Sequence, residues 1–171
     1  METRRFRGRL VLRSVAPDDA GFVAALQEAG LPVEGVDGPQ AANFMFAGKD
    51  GAPVAYGGYT VLGDIALLRS VVVLPHWRGQ RLGSRLVTAL ISQLQGININ
   101  TIYLLTEDAD LFFAELGFAA IERGEAPQAV RETGYFTHHC SGEAIVMMRV
   151  LDEMMRLNLE DIHPKPRPNS G

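Results

Sequence analysis

Cysteine is almost absent from this chain. Cys140 is the only one among 171 residues, so no disulfide can form within one copy, and this is typical of a reducing compartment. Long apolar runs are also missing, because Arg69 and Pro75 interrupt the most apolar region well short of a membrane span. The early arginines are not followed by the apolar run of a secretory signal. We therefore expect a cytoplasmic protein that does not enter a membrane.

An excess of positive charge is lacking too. The chain has 16 Lys and Arg against 20 Asp and Glu, for a net charge of −4, which argues against a nucleic-acid surface. Hydrophobic residues make up 47% and charged residues 21%, as in ordinary globular domains. We expect one domain over residues 1–150 and a C-terminal extension over 151–171. Disorder is predicted for Pro164–Gly171, which contains three prolines and no apolar periodicity.

The apolar pattern predicts a mixed α/β chain. Helical spacing of apolar residues after Pro17-Asp18-Asp19, over Leu82–Leu94 and over Asp108–Leu116 predicts three helices. Glycine and proline in Leu31–Ala42 predict a loop over a site. Strands are predicted at Leu10–Arg13, Asn43–Ala47, Val54–Leu62, Ile65–Val73, Thr101–Leu105, Phe118–Ile121 and Ala144–Val150. The three strands between Asn43 and Val73 are predicted to form an antiparallel meander.

The segment Arg78-Gly79-Gln80-Arg81-Leu82-Gly83 joins a strand to a helix through a glycine turn. Unpaired N–H groups and the helix dipole favour an anion at such a junction, and the phosphate of a nucleotide cofactor suits it. A dinucleotide fold would need three glycines after the first strand, and a Walker loop would need Gly-Lys-Ser/Thr. Neither pattern is present.

A third pattern fits better. Val71-Val72-Val73-Leu74-Pro75-His76-Trp77-Arg78-Gly79-Gln80-Arg81-Leu82-Gly83 resembles the acetyl-CoA motif of the GNAT family of N-acetyltransferases, Arg/Gln-x-x-Gly-x-Gly/Ala after an apolar strand and a proline. Thr106-x-x-Ala109-x-x-x-Phe113-x-x-x-Gly117-Phe118 resembles the family's second signature, Asn-x-x-Ala-x-x-x-Tyr-x-x-x-Gly-Phe. The two motifs have the family's order, and the resemblance covers residues 5–150.

The resemblance implies a mixed sheet of about six to seven strands flanked by helices, with the meander splayed from the fifth strand to leave a V-shaped cleft. Acetyl-CoA is the implied acetyl donor. Its pantetheine would pair with the cleft strand as an added strand does, and its pyrophosphate would lie on the glycine turn. The residues implied to contact it are Val71, Val72, Val73, Arg78, Gly79, Gln80, Arg81, Leu82, Gly83, Ser84, Thr106 and Phe113.

Three positions depart from the family pattern. Arg81 stands where glycine is usual, so either the backbone needs no glycine conformation there or Arg81 adds a cation near the phosphates. Phe113 replaces the tyrosine that often protonates the departing CoA thiolate, so that general acid is absent. Thr106 replaces an asparagine and keeps a hydroxyl with a shorter reach.

Arg69 is the singular residue of the cleft strand. A buried arginine must be paired, and its partner is either a structural carboxylate or an oxyanion of the substrate, which Arg69 and its neighbour Ser70 would bind. The backbone N–H of Val72 or Val73 is the candidate donor to the reaction's oxyanion. A base for the amine is not identified. Its candidates, each more readily explained as a surface carboxylate, are Glu34, Asp37, Glu107 and Glu122.

No metal site is expected. His138-His139-Cys140 is the only metal-like run, and adjacent residues of a strand point to opposite faces, so they do not share an ion easily. Trp77, the only tryptophan, is interpreted as a packing residue rather than an adenine platform.

A finer resemblance is to the N-acetyltransferases of arsenic-resistance operons and the similar phosphinothricin-type enzymes. Its residues are Leu67–Val71, Tyr103–Thr106, Phe112-Phe113, Leu116–Phe118 and Ala126–Thr133, although Ser141 stands where proline is expected. It implies direct acetylation of a small, amino-acid-like amine by a monomer or homodimer. The alternatives are a protein or peptide N-acetyltransferase and a non-catalytic acetyl-CoA sensor.

Overall fold

The fold is built on one mixed sheet. The computed structural model describes residues 5–139 and 142–151, so Cys140 and most of the C-terminal extension lie outside the described part. Seven strands in that part have the order β1-β2-β3-β4-β5-β7-β6, and only β4 and β5 pair in parallel. The strands are β1 (Val11–Ser14), β2 (Ala41–Ala47), β3 (Pro53–Leu62), β4 (Ile65–Val73), β5 (Thr101–Thr106), β6 (Ala119–Ile121) and β7 (Ile145–Val150). The predicted α/β class and strand number are confirmed.

Helices cover both faces of the sheet. They are α1 (Ala20–Glu28), α2 (Leu82–Gly96), α3 (Asp110–Glu115) and α4 (Gln128–Arg131). Helix α2 packs on one face of the sheet, where it buries Leu86, Leu90 and Leu94. Helix α1 packs on the opposite face and buries Phe22 and Leu26. No helix of the described residues is long and apolar enough to cross a membrane.

Helix α1 begins at Ala20, directly after the predicted Pro17-Asp18-Asp19 start, because the Asp19 side chain accepts the Phe22 N–H at 2.9 Å and caps the first turn. Helix α4 and a single π-helical turn, Tyr135–His139, were not predicted. Both are too short to show apolar periodicity, and the burial of Val130 and Tyr135 against Leu67 and Tyr103 holds them to the α1 face.

The sheet splits between β4 and β5. Their parallel pairing ends at Leu67 and Tyr103, whereas β5 stays paired with β7 as far as Thr106. A bulge explains the split: Gly57 of β3 has two residues of β4 opposite it, Ser70 and Val71, and Ser70 takes a left-handed φ of +60°. A bulge bends its strand, so β4 leaves β5 and opens the predicted V-shaped cleft.

Candidate functional site

The cleft between β4 and β5 encloses about 240 Å³. One wall is β4 from Leu67 to Val71, and the other is the end of β5 with the loop that leads into α3. The end of α1 and Tyr135 close the side next to the α1 face. The lining residues are Ala29, Gly30, Leu31, Pro32, Leu67, Leu68, Arg69, Ser70, Val71, Leu104, Leu105, Thr106, Glu107, Asp108, Ala109, Phe113 and Tyr135.

The edge of β4 offers backbone groups to the cleft. Leu74 donates its N–H to the Val54 carbonyl, and backbone direction alternates along an antiparallel ladder. The N–H and C=O of Val72 therefore point to β3, and those of Val71 and Val73 point toward the cleft. Of the two candidate oxyanion donors, Val73 has its N–H on the edge of β4 that β5 leaves, and neither residue is among those that line the enclosed cavity. Its carbonyl accepts a hydrogen bond from Nε of Arg78 at 3.1 Å, which ties the glycine turn to the strand.

The glycine turn has two left-handed residues. Gly79 has φ +76°, and a Cβ there would meet no atom within 4 Å. Arg81 has φ +59° and is the N-cap of α2, to which its side chain makes no capping hydrogen bond. The idea that position 81 needs no glycine conformation is therefore wrong. Arg81 bears the strain, about 1–2 kcal/mol for a residue with a Cβ, and its side chain is exposed beside the turn.

The rest of the turn is held by packing. A Cβ on Gly83 would lie 3.3 Å from the Phe112 ring and 3.4 Å from Val73, so a side chain does not fit there without displacement. Oε1 of Gln80 accepts the N–H of Phe6 at 2.5 Å. The Phe6 ring meets the Trp77 ring edge to face at 5.5 Å, in agreement with a packing role for the tryptophan.

Thr106 and Phe113 both line the far wall of the cleft. Thr106 Oγ1 accepts the N–H of Ala109 at 2.9 Å, which closes the loop before α3 and leaves the hydroxyl proton free to donate. Phe113 is 8% exposed and packs edge to face against Phe112 and Phe118. The aromatic ring is thus part of the wall, and it has no proton to give.

Arg69 is 6% exposed and reaches from β4 across β3 to β2. Its guanidinium donates to Thr60 Oγ1 at 3.0 Å, Asn43 Oδ1 at 2.7 Å, Ser70 Oγ at 3.3 Å and the Tyr59 carbonyl at 3.2 Å. All four acceptors are neutral, so none of these bonds is the structural ion pair that the sequence left open. Burial lowers the pKa of Arg69, and Tyr135, whose ring centroid lies 5.9 Å from Cζ, acts in the opposite direction.

The residues that hold Arg69 were not predicted from the sequence. Asn43 and Thr60 accept its hydrogen bonds, and Gly58 lies beneath it in the register between Asn43 and Arg69. The only local signal was the Gly57-Gly58 pair inside an otherwise apolar strand, since glycine in a strand often marks a close approach.

The four candidate bases differ in their position relative to the cleft. Glu107 lines the cleft next to Thr106, whereas Glu34, Asp37 and Glu122 do not. Glu122 instead forms a capping box with Glu125 at the short helical turn Arg123–Glu125. The described residues contain no group of three or more metal-ligating side chains. Cys140 of the His138-His139-Cys140 run lies outside the described residues.

Comparisons with known proteins define the class. The sequence model of the acetyltransferase (GNAT) family matches residues 16–118, more than half of the chain, and the chain belongs to that family. A comparison with curated protein sequences gives no match.

Solved structures share the fold. A GNAT-family acetyltransferase of Staphylococcus aureus has a TM-score of 0.66 at 18% identity, over 84% of this chain and 99% of its own. The N-acetylglutamate synthase of Neisseria gonorrhoeae, solved with coenzyme A and N-acetyl-glutamate, has a TM-score of 0.67 at 18% identity, over 85% of this chain and 36% of its own. The ribosomal-protein-S18-alanine N-acetyltransferase of Escherichia coli has a TM-score of 0.59 at 18% identity, over 83% of this chain and 94% of its own.

Proposed function

We propose that the chain is a cytoplasmic N-acetyltransferase that transfers the acetyl group of acetyl-CoA directly to the primary amine of a small, amino-acid-like substrate. One observation carries the proposal: the edge of β4 that leaves β5 after Leu67 runs from the buried cation of Arg69 to the glycine turn at Arg78–Ser84. An anionic substrate and an anionic cofactor would therefore meet along one strand.

The residues present fit acetyl-CoA. Pantetheine amides would pair with the backbone of Val71 and Val73, which β5 leaves unpaired. The pyrophosphate would lie against the N–H groups from Gly79 to Ser84, at the positive end of the α2 dipole. A neighbour of the same fold was solved with coenzyme A, which supports this assignment. When bound, acetyl-CoA supplies a thioester carbonyl that an amine can attack.

The chain's own residues would assist three events. Attack of the amine nitrogen on the thioester carbon would break the carbon–sulfur bond, release the coenzyme A thiolate and leave a proton to be removed from the nitrogen. The Val73 N–H faces the cleft and would donate to the oxygen that gains charge. Glu107, in the wall beside Thr106, is the candidate acceptor of the amine proton. Phe113 gives no proton to the thiolate, which can leave unprotonated at little cost because the pKa of a thiol, roughly 8.5 for cysteine, lies not far above neutral pH.

Arg69 and Ser70 would select the substrate. The cleft places a buried guanidinium with neutral partners beside the wall where the acetyl group would lie. Such a charge favours an amine that carries a carboxylate or another oxyanion. The similarity to the arsenic-resistance and phosphinothricin-type enzymes points to the same class, and we propose that the chain is of this type. Neither nucleic acid nor a membrane is a proposed partner.

Thiol release from acetyl-CoA with a panel of amines tests the proposal. The panel holds amino acids, phosphinothricin, the matching amino acid amides, polyamines and short peptides. We expect amino acids or phosphinothricin to release thiol faster than the amides and polyamines. Preference for peptides would indicate a peptide N-acetyltransferase. Coenzyme A binding in calorimetry without thiol release for any amine would indicate a sensor and contradict the proposal.

A further inference from the structure

Asn43 is the residue that decides how the charge of Arg69 is used. It is 5% exposed and donates from Nδ2 to the Val36 carbonyl at 2.7 Å. Its Oδ1 accepts from Arg69 at the same distance, 2.7 Å. One amide therefore joins the buried guanidinium to the segment between α1 and β2. An amide can do both tasks, since it donates from nitrogen and accepts through oxygen without adding charge.

Gly58 gives the Arg69 side chain its path to Asn43. A Cβ at Gly58 would lie 2.8 Å from a terminal nitrogen of Arg69, 3.2 Å from Asn43 Oδ1 and 2.6 Å from the Ala42 carbonyl. No other residue type fits at this place. The guanidinium therefore lies close to the β3 backbone at Gly58 and donates to the neighbouring Tyr59 carbonyl, so its charge has a fixed position beside the cleft.

The segment that Asn43 holds reaches the other side of the cleft. A Cβ on Gly35, next to Val36, would lie 3.0 Å from the Tyr135 ring. Both Tyr135 and the start of the segment, Leu31 and Pro32, line the cleft. The Asn43 side chain thus contacts both Arg69 and the segment whose first residues line the cleft.

We propose that Asn43 is a positioning and specificity-determining residue, whose neutral amide holds Arg69 in place while leaving its positive charge available to an anionic group of the bound amine. This inference rests on the proposed function. An aspartate at this position would keep the bond to the guanidinium and cancel its charge, because a carboxylate beside an arginine forms an ion pair, but it would lose the hydrogen bond to the Val36 carbonyl. The neutrality of Asn43, rather than its hydrogen bond alone, then determines the preference for anionic substrates.

The test measures binding without acetyl transfer. N-acetylglycine and N-acetylglycinamide serve as product-like probes that differ in one negative charge. Their affinities for the coenzyme A complex are compared by titration at constant ionic strength in the wild-type chain, Asn43→Asp and the control Asn98→Asp. Asn98 is exposed and follows α2, so its replacement by aspartate adds the same negative charge at a position that does not line the cleft.

In the wild-type chain and in Asn98→Asp, we expect the anionic probe to bind about tenfold or more tightly than the amide. In Asn43→Asp the ratio should fall to near one, while any loss caused by the missing Val36 hydrogen bond should be shared equally by the two probes. The inference would be overturned if Asn43→Asp kept the ratio of the wild-type chain. It would also be overturned if the wild-type chain itself bound the two probes equally well. Because no turnover is needed, either result leaves the proposed acetyl transfer to be decided by thiol release.

Asn43→Ala provides a second test should Asn43→Asp fold poorly. It removes both hydrogen bonds and adds no charge, so the probe ratio should fall severalfold and stay above one. A purely structural role predicts that both probes lose affinity equally in Asn43→Ala. That equal loss would contradict the inference.

Discussion

Two regions of the molecule carry positive charge beside the cleft. The glycine turn before α2 does so with backbone groups, whereas the region around Arg69 does so with a side chain. In the turn, backbone N–H groups and a helix dipole carry partial charges, and the residues involved are contiguous, Arg78–Ser84. Around Arg69, one full charge is buried among side chains from three strands. The first arrangement suits a phosphate approached from solvent, and the second suits a small anion enclosed in the cleft.

The difference has an energetic consequence. Backbone donors that face solvent cost little when no ligand is bound, because water satisfies them. A buried guanidinium loses its hydration, and burial accordingly lowers the pKa of Arg69. Four neutral hydrogen bonds replace water but provide no counter-charge. An anionic ligand should therefore gain more from Arg69 than from any single donor of the turn.

Removal of the Arg69 charge should have the largest effect. Arg69→Gln should raise KM for anionic amines about tenfold to a hundredfold, the equivalent of roughly 1.5–3 kcal/mol for a charge-assisted contact, while uncharged amines change little. Steady-state kinetics with an amino acid and its amide check this. Equal losses for both substrates, together with a lower melting temperature, would identify Arg69 as a structural residue only.

Addition of a negative charge to the glycine turn should have the next largest effect. Asp and Asn both tolerate the left-handed backbone of Gly79, and there is space for a Cβ. Gly79→Asp should weaken coenzyme A binding about tenfold relative to the isosteric Gly79→Asn, since a carboxylate beside phosphates is repelled. Calorimetry gives both affinities. Equal affinities in the two variants would place the phosphates elsewhere.

Replacement of Arg81, the strained residue of the turn, should have a smaller effect: it should raise stability and lower coenzyme A affinity. Arg81→Gly should raise the free energy of unfolding by up to about 1 kcal/mol, because glycine adopts φ +59° without a Cβ clash. It should also weaken coenzyme A binding severalfold if the Arg81 cation contacts a phosphate. Urea unfolding and calorimetry separate the two terms. A stabilised variant with unchanged affinity would leave Arg81 no role in binding.

The Phe113 wall should give the smallest change in rate. Phe113→Leu should keep most of the turnover, within about threefold, although the lost edge-to-face packing lowers the unfolding free energy by about 1 kcal/mol. Phe113→Tyr provides the matched contrast, because it restores the proton that the family often uses. An increase of orders of magnitude in kcat for Phe113→Tyr would show that thiolate protonation is limiting and that Phe113 is not neutral to the reaction.

The turn and the surroundings of Arg69 also differ in how well the sequence predicts them. The turn was predictable because its glycines and its flanking strand and helix lie within a few residues of one another. The row Asn43, Gly58 and Arg69 depends on the register of three strands, and no local pattern contains that register. All seven strands could be located along the chain, but the insertion of β7 between β5 and β6 is a long-range pairing that no local pattern contains. The left-handed backbone of Arg81 was not predicted, because a residue with a Cβ rarely adopts it.

One set of titrations shows directly whether the chain has two separate anion sites. Coenzyme A affinity and the preference for N-acetylglycine over N-acetylglycinamide are measured in the wild-type chain, Gly79→Asp and Arg69→Gln. We expect Gly79→Asp to weaken coenzyme A binding about tenfold and to preserve the probe preference. Arg69→Gln should abolish the preference and leave coenzyme A affinity within about twofold. Loss of both properties in either variant would contradict the claim of two separate sites.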